Sequence, residues 1–312
     1  MTEIKKIKEK KSILELLEFG IINIDKSSGP TSFNVSDFVK KKLNLRKTSH
    51  FGTLDPKVTG VLPVALNRAC KLTGYFLGED KEYVGIMRVH EEISLEKIKE
   101  KIKEKFLGVI KQTPPVKSRV KRVEREREII SFEILEQSEN KKDYLFKTEV
   151  QGGTYIRKLI DDLGKELCSR PHSVIGKDNL SSVKSLGIGA HMLELRRVRA
   201  GIFEEDSIVN LYDFEKAVDE YEKGNEENLR KIIIPAEIIS EVYPVLEIKP
   251  DNLKKILTGK PIMFEDLKKT PKENIGKIIS VFCENKFVGM YKVMNSGEMF
   301  AKANFVMQEI KK

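Results

Sequence analysis

The sequence predicts an α+β or α/β body followed by a smaller, separate β-rich domain. Apolar strand-like segments alternate with amphipathic helical segments over most of the chain, and such mixing indicates a sheet packed with helices. After Tyr243 the pattern changes to short strands around one brief helix, which indicates a second domain of roughly seventy residues. The length of 312 residues suits one large domain or two smaller ones.

The N-terminal elements follow from local composition. Residues 1–19 predict a basic arm that leads into a short helix, and residues 20–25 are apolar enough for a buried strand. Thr31 or Ser32 can cap the next helix. The apolar stripe of that helix consists of Val35, Phe38, Val39 and Leu43.

The later elements are assigned by periodicity and by turn residues. Further strands are predicted at 61–66, 83–89, 131–134, 144–150, 245–249, 278–282, 287–293 and 299–305. Further helices are predicted at 94–107, from Thr154 to Leu167, and at 251–257. The chain therefore divides into an arm at 1–19, a main body at 20–235 that includes a charged, helical connector at 203–235, and a second domain at 236–312.

Composition limits the function classes. Lys and Arg number 57 against 48 Asp and Glu, a net charge of +9 that favours an anionic partner, most simply nucleic acid. A solvated Lys/Glu surface is the alternative, and charge alone does not separate the two. No apolar run reaches the roughly 18–20 residues that span a bilayer, and the N-terminus lacks the apolar core of a signal peptide. We expect a soluble intracellular protein.

The cysteines and histidines do not predict a metal centre. Cys70, Cys168 and Cys283 are far apart and form no C-x-x-C pair. That spacing excludes a thiolate zinc site and a disulfide scaffold, and it fits a reducing compartment. The four histidines show no metal-ligand spacing either.

The segment from Ser49 to Gly60 contains the strongest candidate for chemistry. Pro56 disfavours the helical region for Asp55 and holds this carboxylate on a stiff, extended loop before a buried strand. Loops on a rigid scaffold commonly carry function. The alternative is an Asx-turn in which Asp55 bonds only to nearby backbone, and the residues alone slightly favour it.

Arg157 is the second candidate. If Thr154 is the N-cap, Arg157 lies in the first helical turn, where a cation opposes the helix dipole. Such a placement suggests pairing with a carboxylate or a phosphate. The commoner alternative is a surface arginine that reaches water.

Tyr83 and two basic stretches complete the candidates. Tyr83 heads a strand, either as an ordinary half-buried residue or as a stacking platform for a base. Residues 117–127 are basic but interleaved with glutamates, so they could be a self-neutralising surface. Arg196, Arg197 and Arg199 are the better phosphate candidates. Together these residues suit an enzyme that acts on RNA without a cofactor.

Four motifs follow one another in order over about 180 residues. The first motif is residues 25–32, with Ser27 in place of a proline, and the second is His50 together with residues 52–56 and 60–62. The third is residues 153–157, and the fourth is residues 189–192 together with 195–197. This series resembles the TruB/dyskerin family of RNA pseudouridine synthases, and the last seventy residues or so resemble a PUA domain. Residues 57–59, 112–116 and 189–192 resemble the archaeal and eukaryotic branch.

The resemblance implies a fold, a reaction and partners. The fold would be the α+β pseudouridine synthase fold, a mixed, mainly antiparallel sheet flanked by helices, with a small barrel-like PUA domain. The reaction would be isomerisation of uridine to pseudouridine, with no metal and no cofactor. The partners would be tRNA, modified at uridine 55 of the T-loop, or rRNA selected by a box H/ACA guide RNA together with the small proteins of that ribonucleoprotein. The expected location is the cytoplasm.

The resemblance also implies residue roles. Asp55 would be the catalytic carboxylate and Arg157 its partner, while Tyr83 would stack on the target base. Tyr155 and Leu195 would line the pocket. The remaining RNA-positioning residues would be His50 and Lys26 near the base, and Arg196, Arg197 and Arg199 along the backbone. The first step stays open between attack of Asp55 on the base, attack on ribose C1′, and removal of a ribose proton.

Two segments depart from the family pattern. Residues 168–186 form an insertion between the third and fourth motifs, and residues 264–267 replace the usual Gly-rich turn of the PUA domain. The second departure bears on recognition of a guide RNA tail.

Two rival functions are weighed against this one. A non-catalytic RNA-binding scaffold would not need Asp55, Tyr83 and Arg157 together. A stand-alone tRNA enzyme would need tRNA-gripping insertions like those of the bacterial enzymes. The short path from Tyr83 to Phe132, with a single helix, gives no sign of them.

Overall fold

The computed structural model of the protein describes residues 3–114, 121–167, 187–269 and 274–308. In these ranges the α-helices are α1 (Glu3–Lys10), α2 (Ile13–Glu18), α3 (Ser32–Lys42), α4 (Thr73–Leu77), α5 (Leu95–Lys105), α6 (Ile156–Glu166), α7 (Leu211–Glu222), α8 (Glu227–Ile232) and α9 (Leu253–Leu257). None of them is long and apolar enough to cross a membrane. The proposed insertion at 168–186 and part of the basic stretch at 117–127 lie outside the described residues.

The strands form a large sheet and a small one. The large sheet contains β1 (Gly20–Lys26), β2 (Thr48–His50), β3 (Thr59–Leu66), β4 (Lys81–Val89), β5 (Gly108–Gln112), β6 (Arg125–Gln137), β7 (Asp143–Val150), β8 (Ala190–Ala200), β9 (Phe203–Glu204), β10 (Val209–Asn210) and β11 (Ile233–Pro235). The small sheet contains β12 (Val245–Glu247), β13 (Ile262–Met263), β14 (Ile278–Cys283), β15 (Lys286–Ser296) and β16 (Met299–Val306).

The large sheet is mixed and mainly antiparallel, as predicted. Its main path runs β10-β1-β3-β8-β4-β7-β6-β5. Of this sheet's pairings in the described residues, only β1–β10 and β3–β8 are parallel. Strands β4, β7, β6 and β5 pair antiparallel with one another in that order, and they lie close together in the sequence. Strand β8, which comes much later in the chain, lies in the middle of the sheet between β3 and β4. The central position of β8 brings the second and fourth sequence motifs side by side.

Strand β8 is the main element that the sequence patterns do not predict. Its stretch Leu195–Arg199 looks like a basic surface cluster, because three arginines occur in four positions. In the structure the guanidinium groups bond to acceptors on neighbouring strands and loops, so a charged segment can lie in the centre of a sheet. The first half of β6 is missed for a similar reason, since residues 125–128 alternate in charge. Strand β5 is also absent from the predicted elements.

The predicted arm and connector are parts of the main body. Strands β10 and β11, from the 203–235 segment, both pair with β1, and helix α7 buries Phe214 and Val218 in the main core. The described part of the predicted arm, from residue 3, forms two helices rather than one, and Leu16 of α2 is fully buried. These segments therefore cover the far side of β1, the strand that carries the first motif.

The small sheet has the order β12-β14-β15-β16-β13. A bridge between Ile248 and Leu267 links the residues that follow its two edge strands, so the sheet curls into the predicted barrel-like shape. It packs on the large sheet through an aromatic cluster. Phe287 stacks on Phe19 at 5.3 Å between ring centroids, and the same cluster contains Phe51, next to the loop of the second motif.

Candidate active site

The loop between β2 and β3 holds Asp55 where the sequence predicts an exposed carboxylate. Pro56 occupies the second position of a tight turn that closes with a hydrogen bond from Val58 N to Asp55 O at 2.9 Å. Leu54 and Val58 point into the core on either side. The Asp55 side chain is 50% exposed. The buried side chains of Leu54 and Val58 thus fix the loop while the Asp55 carboxylate faces solvent.

Arg157 meets Asp55 although 102 positions separate them. Arg157 lies in the first turn of α6, and its Nη2 donates to Asp55 Oδ2. Its side chain is 60% exposed, so the pair is open to an incoming substrate. The structure therefore brings together the two residues predicted to pair and does not support the Asx-turn or the unpaired surface arginine.

The predicted N-cap of α6 is wrong. Tyr155, not Thr154, is the N-cap residue, and it makes no side-chain cap. The Thr154 hydroxyl instead donates to Gln151 O at 2.7 Å, within the turn before the helix. Gln112 Oε1 accepts from Tyr155 N at 3.0 Å, and Gln112 Nε2 donates to Tyr155 O at 3.3 Å. This buried glutamine fixes the main chain of Tyr155, a role that the sequence patterns do not reveal.

Lys26 is fully buried at the end of β1 and supports the loop from below. Its ammonium donates to Ser27 O at 2.8 Å, Pro56 O at 2.9 Å and Val58 O at 2.8 Å. Burial lowers the pKa of Lys26, and the nearby Asp55 charge opposes that shift. The predicted contact of Lys26 with RNA does not fit this burial, and Lys26 supports the Asp55 loop instead.

Ser32 makes a second support that was predicted only as a possible helix cap. Thr31 is the cap of α3, in a capping box with Asn34. The buried Ser32 hydroxyl donates to Leu54 O at 3.0 Å and accepts from Leu54 N at 2.8 Å. It thereby satisfies both main-chain groups of the residue before Asp55.

Arg197 makes a third support and is only 1% exposed. Its Nε donates to Val61 O at 2.8 Å and its Nη2 to Gly52 O at 3.1 Å, one acceptor on each side of the loop. Gly60 is needed here, because it has a φ of 99° and a Cβ would lie 2.2 Å from Arg197 O. The predicted RNA-backbone contact of Arg197 is thus corrected to a loop support.

The two neighbouring arginines are also engaged within the protein. Arg196 binds the Asp25 carboxylate with two bonds of 3.0 and 3.1 Å, and its Nε donates to Glu205. Arg199 Nη2 donates to Glu149 at 2.5 Å. Carboxylates already compensate these charges, so the structure favours a role in holding β8 over a role as free phosphate ligands.

Tyr83 and Leu195 lie on adjacent strands beside this loop. Tyr83 stands opposite Arg197 in the β4–β8 register and its hydroxyl interacts with that guanidinium. Its 8% exposure leaves little of the ring accessible, so stacking on a base stays a prediction. Leu195 stands opposite Gly85, where a Cβ would come within 2.9 Å of Leu195 Cδ1. Their predicted roles in the pocket stay predictions.

His50 lies at the entrance of the same loop. Its Nε2 is 3.1 Å from the Thr53 hydroxyl, and burial together with the Arg197 charge lowers the pKa of His50. The imidazole is therefore favoured in its neutral form near pH 7, where it can accept or donate one hydrogen bond on each nitrogen. In the part of the chain that the structure describes, no three His, Cys, Asp or Glu side chains are grouped to hold a metal ion.

Comparison with known proteins identifies two family models in the sequence. The model of the TruB family pseudouridylate synthase N-terminal domain matches residues 40–156, and the model of the tRNA pseudouridylate synthase B C-terminal domain matches residues 184–240. The first match contains Asp55 and ends one residue before Arg157, and the second contains strand β8.

Similar whole proteins are found among curated sequences and solved structures. A protein named probable tRNA pseudouridine synthase B from Thermococcus onnurineus is 40% identical over 97% of this chain and 86% of its own. Its namesake from Methanocaldococcus jannaschii is 41% identical over 88% of this chain and 75% of its own. A chain of a crystallised Cbf5–Nop10–Gar1 complex is 36% identical, with a TM-score of 0.81 over 96% of this chain and 89% of that one. A chain of an H/ACA ribonucleoprotein bound to a substrate RNA containing 2′-deoxyuridine is 34% identical, with a TM-score of 0.80 over 97% and 89%.

Proposed function

The chain belongs to the TruB family of pseudouridine synthases, and from this premise we propose that Asp55 carries the isomerisation of uridine to pseudouridine in RNA. The observation that supports this assignment is the exposed Asp55–Arg157 pair, held on a loop with three buried supports. A scaffold protein would have no use for an exposed carboxylate that is fixed so firmly. The geometry therefore favours the enzyme over the non-catalytic rival.

The reaction exchanges one bond of the base for another. The bond between uracil N1 and ribose C1′ breaks, the uracil turns, a bond forms between C5 and C1′, and the C5 proton is lost while N1 gains one. Substrate and product are isomers, so the atoms balance without a co-reactant. Asp55 starts the sequence by attack on the base, by attack on C1′, or by removal of a ribose proton.

The other site residues receive roles from their positions. The target nucleotide has to leave its stack to reach Asp55, as for other enzymes that act on bases. Arg157 orients the Asp55 carboxylate and offers an exposed cation to an entering phosphate. Tyr83 and Leu195 form the wall on which the base rests, and the Tyr83 hydroxyl is the candidate for the late transfer of the C5 proton. Tyr155 lines the pocket from the α6 side.

We propose a guided RNA as the main substrate and tRNA as the second. The chains of similar fold are solved in a Cbf5–Nop10–Gar1 complex and in an H/ACA ribonucleoprotein with substrate RNA. In the described residues between β4 and β6, which are 90–114 and 121–124, the helices and strands are α5 and β5, and this short path supports the guided RNA. The names of the curated relatives support tRNA as a substrate. We propose uridine 55 of the T-loop as the position modified in it.

The remaining assignments follow from the same proposal. Residues 20–235 would be the catalytic domain, with 1–19 packed on it, and residues 236–312 would be the PUA-like RNA-binding domain. A guide RNA and small H/ACA proteins would be the partners. The cytoplasm would be the location of such an enzyme.

The test is pseudouridine formation on an unmodified tRNA transcript and on an rRNA fragment, each with and without guide RNA and partner proteins. Asp55→Asn should abolish product and leave RNA binding near normal. Asp37→Asn is the matched control, because Asp37 is a surface carboxylate on α3 that pairs with Lys41. Product on rRNA only in the full mixture supports the guided enzyme, and product on tRNA from the protein alone supports the second substrate. Turnover by Asp55→Asn would refute the assignment of Asp55, and bound RNA without any product would favour the scaffold.

A further inference from the structure

Lys81 is a buried lysine beside the active site that the proposed reaction does not use. It is the first residue of β4 and is only 4% exposed. Its ammonium donates to Leu77 O at 2.8 Å and to Glu79 O. Leu77 is the last residue of α4 and Glu79 lies in the turn that follows, so Lys81 links the end of the helix to this turn.

The same turn supports the segment that carries Arg157. A Cβ on Gly152 would lie 2.8 Å from Leu77 O, 2.9 Å from Glu79 O and 3.0 Å from Gly78 O. These short distances show that the main chain of Gly152 packs directly against the carbonyl groups that Lys81 binds. Gly152 precedes Tyr155 and Arg157 by a few residues. The position of this turn therefore influences the position of the first residues of α6.

Lys81 also lies under the loop that carries Asp55. A Cβ on Gly52 would be 3.9 Å from Lys81 Cε and 3.2 Å from Arg197 Nη1. One buried side chain thus contacts the supports of both partners of the Asp55–Arg157 pair. Lys26, also buried, bonds instead to Ser27 and to the Asp55 loop.

We propose that Lys81 is a positioning residue, whose charged ammonium fixes the Leu77–Glu79 turn and so sets Arg157 against Asp55. The inference rests on the proposed function for its activity assay only. The ammonium is required in its charged form, because a cation polarises two carbonyl acceptors more strongly than a neutral amine does.

The charges that face Lys81 make this role dependent on pH. Burial and the Arg197 charge from β8 lower the pKa of Lys81 to about 8, with Arg199 acting in the same direction. Glu79 and Asp80, from the turn, oppose the shift. Lys81 therefore loses its proton as the pH rises through about 8, and the positioning of Arg157 should weaken over the same range.

The experiment measures single-turnover pseudouridine formation and RNA affinity from about pH 6 to about pH 10. The variants are Lys81→Met, which keeps length without charge, and Lys81→Arg, which keeps a charge over this range. Lys147→Met is the control, because Lys147 is an exposed lysine on β7 that pairs with Glu82. Amide exchange of residues 155–157 is followed in each variant.

Wild type and Lys147→Met should lose rate above about pH 8, since each retains Lys81. Lys81→Met should be about 10- to 100-fold slower below that pH, with unchanged RNA affinity and no remaining loss of rate near pH 8. Lys81→Arg should move the loss to higher pH. Amide exchange at 155–157 should rise in Lys81→Met.

Two results would overturn the proposal. One is a Lys81→Met enzyme with the wild-type rate, and the other is a decline near pH 8 that persists in this variant. If Lys81→Met does not fold, an unshifted decline in Lys81→Arg refutes it equally. Failure of the proposed function gives a different pattern, because no variant would then form pseudouridine while amide exchange would still report on the turn.

Discussion

Replacing Ser32 with alanine tests whether the catalytic loop depends on its buried supports. The Ser32 hydroxyl makes two hydrogen bonds, both to the main chain of Leu54, which is itself buried next to Asp55. The substitution removes one oxygen and alters no charge. It leaves an N–H and a C=O without partners in a site that water reaches poorly.

The size of the effect follows from those two groups. A buried donor or acceptor left unpaired costs about 1–3 kcal/mol, so the loss of two partners in Ser32→Ala should lower the free energy of unfolding by about 2–6 kcal/mol. Ser36→Ala is the matched control on the same helix. Ser36 is also buried, but its hydroxyl donates only to Phe33 O at 3.1 Å, within the helix, so about 0.5–1.5 kcal/mol is expected.

The rate should separate the two serines more sharply than stability does. A shift of about 1 Å in a catalytic group can cost about 100-fold, and Ser32 is the residue that holds the segment before Asp55. We expect Ser32→Ala to slow pseudouridine formation at least tenfold with little change in RNA affinity, and Ser36→Ala to keep the wild-type rate. Urea unfolding and single-turnover kinetics measure both quantities. Equal rates for the two variants would show that the loop does not depend on Ser32.

Three further predictions concern other contacts. Arg157→Ala should slow turnover roughly tenfold or more, because Asp55 loses its charged partner. The control Lys158→Ala, at the next position, should keep the wild-type rate. Equal single-turnover rates for these two variants would remove Arg157 from the site. Arg197→Met should lower the free energy of unfolding by about 2–4 kcal/mol in urea, since two buried carbonyls lose a charged donor, and an unchanged midpoint would contradict this. A hydrogen bond from Arg88 lowers the pKa of Asp143 from 3.8 to about 2. The ionised Asp143 carboxylate therefore stabilises the fold above about pH 4, and this stabilisation is lost as the pH falls towards 2. Asp143→Asn should flatten that part of a denaturation-against-pH curve, and an unchanged curve would show that other carboxylates dominate it.

Much of the fold follows from local patterns. Apolar alternation places β7 and the small-sheet strands β14 to β16 within a few residues, and the Thr31 cap predicts the start of α3. The pairing of Asp55 with Arg157 does not follow from the residues, because 102 positions separate them and nothing in either segment specifies the other. Only the family resemblance predicts that pair.

The failures at Lys26, Arg197 and strand β8 share one physical cause. Sequence patterns assign charged residues to the surface, since burial of an unpaired charge is costly. Arg197 and Lys26 break that rule because main-chain carbonyls, which no sequence pattern displays, are their partners. The alternation of Leu195, Arg196 and Arg197 is compatible with a strand, but it does not say which arginine lies inside.

The choice of carbonyl partners also explains why these supports are cations. Lys26, Lys81 and Arg197 are all buried, and within the described residues none of them forms an ion pair with a carboxylate. An ion pair would tie each cation to one flexible side chain, whereas an ammonium or guanidinium can hold two or three main-chain oxygens at once. Each buried charge costs several kcal/mol, which an RNA-binding enzyme tolerates because its substrate is a polyanion that the same positive potential attracts. The supports thus fix the main chain around Asp55 and leave its carboxylate to one exposed partner, Arg157, and to the substrate.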